Sequence, residues 1–415
     1  MGTGWIRLWR WTAWGGIGLS LYAGWLTVDD ARDRASSERE ISTACDRLVS
    51  PAEVMDLRGG MIRATASTYD ADRIDTHKLS SSCTIYKVPG PGQTVGLFTL
   101  SVRGSSASEP LNKIYNDILG DPFYDLDAGG RNAKRDITAV ADRRPEPQPL
   151  GVGTLGWYNN WYTMVRAECG PGSRATAPRL LHVMARADYE DVSAADRRRL
   201  ARIARSATER LASRIGCRTR LPALPDGSLP EAPSALRPAR AAGGSCGWFA
   251  RRFAGRAQVQ GKPLPDRVLE VPTRSANPVE GCLLAVSPEP MRQAISRLPE
   301  KKRELVRSDL THWWVRTVSY FGSEAAAVGF RDLGKDQFIK PGTVGHNRTL
   351  WWASSVCAGQ PAVHTVFSDF TYADSLDPQT RSDLFHAYVD DITKRRGCTH
   401  VKYPAMKDFQ DLDTF

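Results

Sequence analysis

The sequence predicts an α+β protein: an N-terminal transmembrane helix followed by two homologous domains, each with an antiparallel sheet, a helix and two disulfide bonds. Residues 180–217 read as a strand, a polar turn and a helix ending in Gly216-Cys217, and residues 361–398 repeat this pattern up to Gly397-Cys398. The eight cysteines form two sets of four in similar order: Cys45, Cys83, Cys169 and Cys217, then Cys246, Cys282, Cys357 and Cys398. We interpret the chain as a tandem duplication of a four-cysteine unit.

Composition supports folded domains and a basic surface. A chain of 415 residues is long enough for two or three domains, and 41% hydrophobic residues exclude wholesale disorder. The net charge of +10 has two explanations. It reflects the arginine-rich composition that a GC-rich genome encodes, or it attracts the protein to anionic envelope polymers or lipid head groups. We expect no nucleic-acid partner, because the anchor described next places most of the chain outside the cell.

The anchor is the uncharged stretch 11–28, which as a helix would cover about 27 Å. Arginines precede it and Asp29-Asp30 follow, so the positive-inside rule places the N-terminus in the cytoplasm and residues 29–415 outside. A cleaved signal peptide is the alternative, but no clear small-x-small site follows the apolar run. Gly16, Ser20 and Gly24 lie four apart on this helix and would let two copies associate.

The cysteines are expected to form disulfides, because they are even in number and lie outside the cytosol. Zinc is disfavoured, since the sequence has no C-x-x-C or H-x-x-x-H pair, and no cofactor is expected. The strand ending at Cys169 turns back into the next strand, and the helix after it returns antiparallel, which brings Cys217 near Cys169. The same path brings Cys398 near Cys357, and the remaining pairs are Cys45–Cys83 and Cys246–Cys282.

The first predicted domain covers residues 44–221, after a charged helical stalk at 29–43. Its predicted elements are, in chain order, a short helix (45–57), a hairpin (83–103), a further helix (111–119), a long loop (120–153), an aromatic strand (157–168), a second strand (180–185) and a long helix (194–215). Ser193 is the expected cap of the last helix, and Gly216 its left-handed end. Arg198, Arg202 and Arg205 share one face of this helix, which is either solvated or binds an anion.

A proline-rich linker, residues 222–243, separates the two domains and should be semi-rigid. The second domain, 244–405, is predicted to contain strands at 268–271, 282–286, 313–321, 350–356 and 363–367, and helices at 289–310 and from Pro378 onward. Asp377 is the expected cap of that last helix. Residues 406–415 are expected to form a frayed acidic tail.

Three motifs resemble functional signatures but lack the context that each requires. Gly151–Gly156 matches G-x-G-x-x-G, yet prolines precede it and a strand follows, so we expect no nucleotide. Gly243–Gly247 matches G-x-S-x-G, but no buried strand leads in and Cys246 is assigned to a bridge. Residues 125–136 echo a calcium loop whose basic residues would repel the ion.

His182 and His364 occupy matching strand positions in the two repeats. Paired histidines at such positions would sense pH or bind a ligand. The alternative is one duplicated structural residue that is half-buried and hydrogen bonded.

Cys45-Asp46-Arg47-Leu48 before the hairpin at Cys83, together with the terminal helix closing on Cys217, resembles disulfide-bonded envelope lipoproteins and sensor domains of high-GC Gram-positive bacteria. The resemblance implies a fold and an extracytoplasmic location. The chain departs from that pattern because it lacks a lipidated cysteine and carries the unit twice.

The sequence shows no catalytic set of residues, so we expect no enzyme. The prediction is a single-pass membrane protein that binds, senses or scaffolds in the bacterial cell envelope. The alternatives are an envelope hydrolase whose active-site residues are distant in sequence, and a membrane-tethered partner of another envelope protein.

Overall fold

The computed structural model describes residues 28–410 except 91, 107–108, 115–119, 124–135, 142–145, 254–262, 299, 301–302, 304–311 and 333. Two antiparallel sheets with packed helices and four disulfides confirm the α+β class. Within this described part, no helix is both long and apolar enough to cross a membrane. The predicted anchor, 11–28, lies outside the described residues except for Val28.

The first unit, residues 28–236, is built on a seven-stranded sheet in the order β1-β2-β3-β8-β7-β6-β5. Its strands, with β4 in a separate sheet, are β1 (Ala64–Ala66), β2 (Ser80–Gly90), β3 (Gln93–Gly104), β4 (Asn112–Ile114), β5 (Gln148–Pro149), β6 (Gly156–Tyr158), β7 (Tyr162–Glu168) and β8 (Leu180–Ala187). Its helices are α1 (28–44), α2 (Pro51–Met55) and α3 (Ala194–Ile215). Helix α3 lies on β7 and β8 and closes the core of the unit.

Helix α3 has the ends that the sequence predicts. The Ser193 hydroxyl accepts the Asp196 N–H at 3.1 Å, which satisfies a donor of the first turn. Gly216 has φ 71°, a left-handed conformation that glycine adopts without steric cost. The apolar stripe of this helix is buried against the sheet at Leu200, Ile203, Ala204, Ala207 and Leu211, and Ile215 at its end is partly buried.

The second unit, residues 237–410, has the sheet order β15-β16-β17-β12-β11-β10-β9, with β18 beside β16. Its strands, with β13 and β14 in the separate sheet, are β9 (Arg237–Pro238), β10 (Arg267–Glu270), β11 (Val279–Ala285), β12 (Trp314–Phe321), β13 (Val328–Asp332), β14 (Lys335–Phe338), β15 (Gly345–His346), β16 (Leu350–Cys357), β17 (Gln360–Ser368) and β18 (Thr399–Lys402). Its helices are α4 (Gly247–Phe253), α5 (Pro288–Arg297), α6 (Phe370–Ser375) and α7 (Pro378–Arg396). Asp377 caps α7 as predicted.

The two sheets share a strand order. The series β1-β2-β3-β8-β7-β6 in the first unit has the same arrangement as β10-β11-β12-β17-β16-β15 in the second. In the first unit β8 leads to the long helix α3, and in the second unit the corresponding strand β17 leads through the short helix α6 to the long helix α7. The disulfides occupy corresponding places and join the predicted pairs: Cys45–Cys83, Cys169–Cys217, Cys246–Cys282 and Cys357–Cys398. The common topology agrees with a duplication, whose ancestry stays a prediction.

A third, small sheet joins the units, because β4 of the first unit pairs in parallel with β13 of the second. Apolar side chains of the first unit, including Ile114 and Phe123, belong to a buried cluster with Trp314, Val363 and Phe367 of the second sheet. This cluster lies on the face opposite α7. The second sheet is therefore covered on both faces.

Four segments differ from the sequence-based expectations. The predicted aromatic strand 157–168 is two strands, since the Asn159 carboxamide accepts two backbone N–H groups and forms a turn. The predicted helix 111–119 begins with strand β4, and 115–119 lie outside the described residues. The predicted stalk is helical, but its Ile41 is fully buried. In the predicted frayed tail, Phe409 is buried and stacks on Trp351.

The predicted linker is packed along the first unit. The Asn160 side-chain oxygen accepts a hydrogen bond from the Ala232 N–H at 2.7 Å, and the Asn160 side-chain nitrogen donates to the Ala232 carbonyl at 3.0 Å. Leu229 is buried in the core of the first unit, and the linker then supplies strand β9 to the second sheet. These contacts fasten the connection between the units along much of its length.

Candidate functional site: the interface between the two units

Glu324 is the centre of the interface between the two units. It follows β12 of the second unit and is fully buried, yet its carboxylate partners come from the first unit. Asn112 Nδ2 donates to it at 2.7 Å, Arg166 Nε donates at 2.8 Å, and His182 Nε2 lies 3.0 Å away. A single buried carboxylate thus joins three strands of the other unit.

The partners of Glu324 together change its pKa more than its burial does. Burial alone would raise the pKa of this carboxyl, but His182, Arg166 and Asn112 lower the pKa from 4.5 to about 2. The group is therefore ionised at neutral pH. Loss of any one partner would leave a buried charge less well compensated, which is strongly destabilising.

Further ion pairs cross the same interface. Arg316 of β12 donates to Glu146 of the first unit at 2.5 Å, and both are essentially inaccessible to solvent. Burial raises the pKa of Glu146, and the Arg316 guanidinium opposes that rise. Arg267 pairs with Asp136, and this contact lowers the pKa of Asp136. These contacts tie the second sheet to the 136–146 segment.

The G-x-G-x-x-G motif lies in this interface. A Cβ added to Gly153 would sit 2.0 Å from the Asn277 Oδ1 atom of the second unit. Gly153 and Gly156 also have φ values of 96° and 139°, and Gly156 opens strand β6 rather than a helix. The glycines serve a tight turn and a close approach between units.

A small pocket remains beside this turn. It has room of about 30 Å³ and is lined by residues of both units, including Glu146, Trp157, Asn277 and Gly281.

The other two motifs have structural surroundings. Ser245 of the G-x-S-x-G segment is buried, its hydroxyl accepts the Val271 N–H at 3.0 Å, and its own N–H donates to the Val271 carbonyl. It fastens a turn to β10, next to bridged Cys246. Of the calcium-like loop, residues 125–135 lie outside the described residues, and Asp136 pairs with Arg267.

The prediction that His182 and His364 occupy matching positions is wrong by one residue. Across the sheets, Cys83 aligns through β3 with Ala185, and Cys282 aligns through β12 with Val366. By this register His182 corresponds to Val363, and His364 corresponds to Val183. Adjacent strand residues point to opposite faces, so His182 faces the other unit while His364 faces helix α7.

His364 belongs to a buried polar cluster inside the second unit. Its Nδ1 lies 2.8 Å from the Ser319 hydroxyl and its Nε2 lies 2.8 Å from the Ser355 hydroxyl, while Tyr388 of α7 contacts Ser319. Burial, with a contribution from Arg396, lowers the pKa of His364 from 6.5 to about 3. The histidine is therefore neutral, and no member of the cluster is more than 4% exposed.

The first unit has apolar residues at all four corresponding places: Val102, Val183, Ala167 and Ala207. Sequence reasoning missed the cluster because its members are up to 69 residues apart. The sequence signal for it was a serine within each of two otherwise largely apolar strands, Ser319 in β12 and Ser355 in β16.

The three arginines of the predicted anion-binding face have partners within the chain. Arg198 and Arg205 donate to the linker carbonyls of Pro225 and Pro222, and Arg202 pairs with Glu53. These contacts help to hold the linker against α3. An anion-binding role for this face stays a prediction.

A comparison with protein-family models, curated proteins and solved structures finds no match to this chain.

Proposed function

We propose that the chain is a binding and scaffolding protein of the bacterial cell envelope, anchored through residues 11–28 with its two units outside the cytoplasm. Disulfides persist in oxidising compartments, and the four bridges pair all eight cysteines. The resemblance to envelope lipoprotein and sensor domains supports the same location.

The buried contacts between the units favour scaffolding over catalysis. Enzymes built from two units commonly place the substrate between them, since ligand sites favour such clefts. Here the buried Glu324 and Arg316 contacts, with the β4–β13 pairing, occupy that place among the described residues. A rigid two-unit body would instead present its outer surfaces to a partner, at a constant relative orientation.

The test is crosslinking and affinity purification of the tagged full chain from native membranes. We expect a specific protein or polymer partner whose recovery falls when Glu324→Ala loosens the two units. An Arg292→Ala variant, on an exposed part of α5, is the matched surface control. Reporter fusions at each terminus test the topology, and a cytoplasmic C-terminus would contradict the proposed location.

The hydrolase alternative is tested with the same material. Purified protein would be incubated with cell-wall and peptide substrates, beside a His364→Val variant. Turnover by the wild type that the variant loses would overturn the scaffolding proposal. The burial of Ser319 and His364 leads us to expect no such turnover.

A further inference from the structure

Four exposed arginines lie around the Cys169–Cys217 bridge of the first unit. We call them the arginine surface: Arg174, Arg179, Arg218 and Arg220. Within the part of the chain that the structure describes, none of their side chains has an ion-pair or hydrogen-bond partner. Their two segments, residues 169–179 and 216–220, contain no acidic residue. The surface therefore carries positive charge that the fold does not compensate.

The backbone holds the two segments of this surface side by side. The Arg174 N–H donates to the Gly216 carbonyl at 2.9 Å, and the Gly170 N–H donates to the Arg218 carbonyl at 2.8 Å. Two of the arginine side chains also lie over a glycine of the facing segment. A Cβ on Gly216 would lie 2.4 Å from Arg174 Cδ, and a Cβ on Gly172 would lie 2.8 Å from Arg218 Nη1. Charges from both segments thus share one small area of the unit.

The second unit has no counterpart of this surface. Its corresponding hairpin closes through Ala358-Gly359, and the segment after its long helix forms strand β18 beside β16. The loop 169–179 is therefore specific to the first unit. Because the related unit folds without such a loop and the four arginines form no ion pair, the fold does not require their charges.

The arginine surface lies at the end of the unit where α1 ends. Asp46, just beyond α1, pairs with Arg214 in the last turn of α3, and Gly216 follows directly. As a helix of residues 28–44, α1 is about 25 Å long. The surface is thus separated from residue 28 by about the length of this helix.

We propose that the arginine surface binds a linear phosphate polymer of the cell envelope, an inference that deepens the proposed function and rests on it. A guanidinium group donates two parallel N–H groups to a phosphate. Neither segment has an aromatic ring for stacking, so charge is the feature recognised, and a polymer with a phosphate in every short repeat supplies it most densely. Head groups of the anchoring bilayer fit less well, since about 25 Å is roughly three Debye lengths at physiological ionic strength.

The test measures binding of poly(glycerol phosphate) to the full chain in nanodiscs of neutral phosphatidylcholine, by isothermal titration calorimetry. The salt dependence of the affinity reports how many phosphates are neutralised. Four contacts on a single-stranded polymer predict a slope of about −3 for the logarithm of the binding constant against the logarithm of the salt concentration. Absence of saturable binding at low salt, or a slope near zero, would overturn the proposal.

Changing all four arginines of the surface to glutamine should weaken binding about 100-fold at about 0.1 M salt and remove most of the slope. The matched control removes four positive charges from exposed residues of the second unit and should keep both. These residues are Arg240, Arg252, Arg274 and Lys340. Should the first variant fail to fold, Arg179→Gln with Arg220→Gln should reduce the steepness of the slope by about 1.4. Equal losses in the surface and control variants would contradict the site.

Two further ligands distinguish the source of the anion. Vesicles of phosphatidylglycerol and the carboxylate polymer polygalacturonate should each bind more weakly per charge than poly(glycerol phosphate), and equal binding of either would overturn the assignment. Binding in nanodiscs does not depend on where the cell places the chain. Polymer binding with a cytoplasmic C-terminus would therefore support the surface and contradict the proposed location, whereas no binding with an external C-terminus would refute this inference alone.

Discussion

Acid should loosen the second unit in a way that depends on His364. This histidine is buried between β17 and helix α7, and its pKa falls from 6.5 to about 3 on folding. The groups that face it are the hydroxyls of Ser319, Ser355 and Tyr388 and the charge of Arg396. The Arg396 charge is in turn paired with Glu280.

The sign follows from where the proton binds. Below about pH 6.5 the unfolded chain takes up a proton at this histidine, while the folded chain does not until about pH 3. Stability is therefore complete above pH 6.5 and is lost as the pH falls. The loss is about 1.4 kcal/mol per pH unit, or roughly 2 kcal/mol at pH 5.

The perturbation removes the whole cluster. His364→Val, Ser319→Val and Ser355→Ala introduce the residues of the first unit, and Tyr388→Phe removes the hydroxyl that would otherwise lose its Ser319 partner. Replacing a complete buried polar set by apolar residues is often neutral at pH 7. The variant should be close to wild type at pH 7 and more stable by roughly 2 kcal/mol at pH 5.

Native-state hydrogen exchange between pH 7 and pH 4.5, with rates corrected for intrinsic pH dependence, measures the effect. Peptides from α7 should lose protection in the wild type but not in the quadruple variant. Peptides from α3, which packs on Val183, should change equally in both proteins and serve as the internal control. Parallel pH profiles for α7 in the two proteins would refute the reasoning.

Four further predictions concern the interface and the bridges. Glu324→Ala should destabilise the chain by about 3–5 kcal/mol at pH 7, because it leaves buried donors unpaired, and a loss below 1 kcal/mol in denaturant titration would count against that role. Because the pKa of Glu324 falls from 4.5 to about 2 on folding, its contribution to the free energy of unfolding should be present above pH 4.5 and fade as the pH drops toward 2. Denaturant titrations should show this decline in the wild type but not in Glu324→Ala. An identical decline in the variant would argue against it. Replacing both Cys169 and Cys217 by alanine should cost about 3–4 kcal/mol by the loop-entropy estimate, and non-reducing peptide mapping should recover this pair intact from the wild type. Gly153→Ala should lower the melting temperature more than Gly227→Ala, since both have positive φ but only the first would meet a neighbour; equal shifts would remove the close-approach argument.

Much of each unit could be predicted from local sequence. The limits of α3 follow from Ser193 and Gly216, because a helix cap depends on residues within one turn. The bridge Cys169–Cys217 follows from a strand that turns back and a helix that returns, which are neighbours in the chain. The strand hidden at the start of 111–119 could not be predicted, since three residues gain their partner only from β13 in the other unit.

By itself, the sequence determined the α+β class, the duplicated order of elements and the four cysteine pairs, because capping, alternation and short connections are local properties of a chain. Tertiary structure alone decided that the two units lock around Glu324, which meets His182 from 142 residues away. It also decided that His182 and His364 face opposite sides of their sheets. A shift of one residue reverses the face of a strand residue, and only pairing with distant strands sets that register.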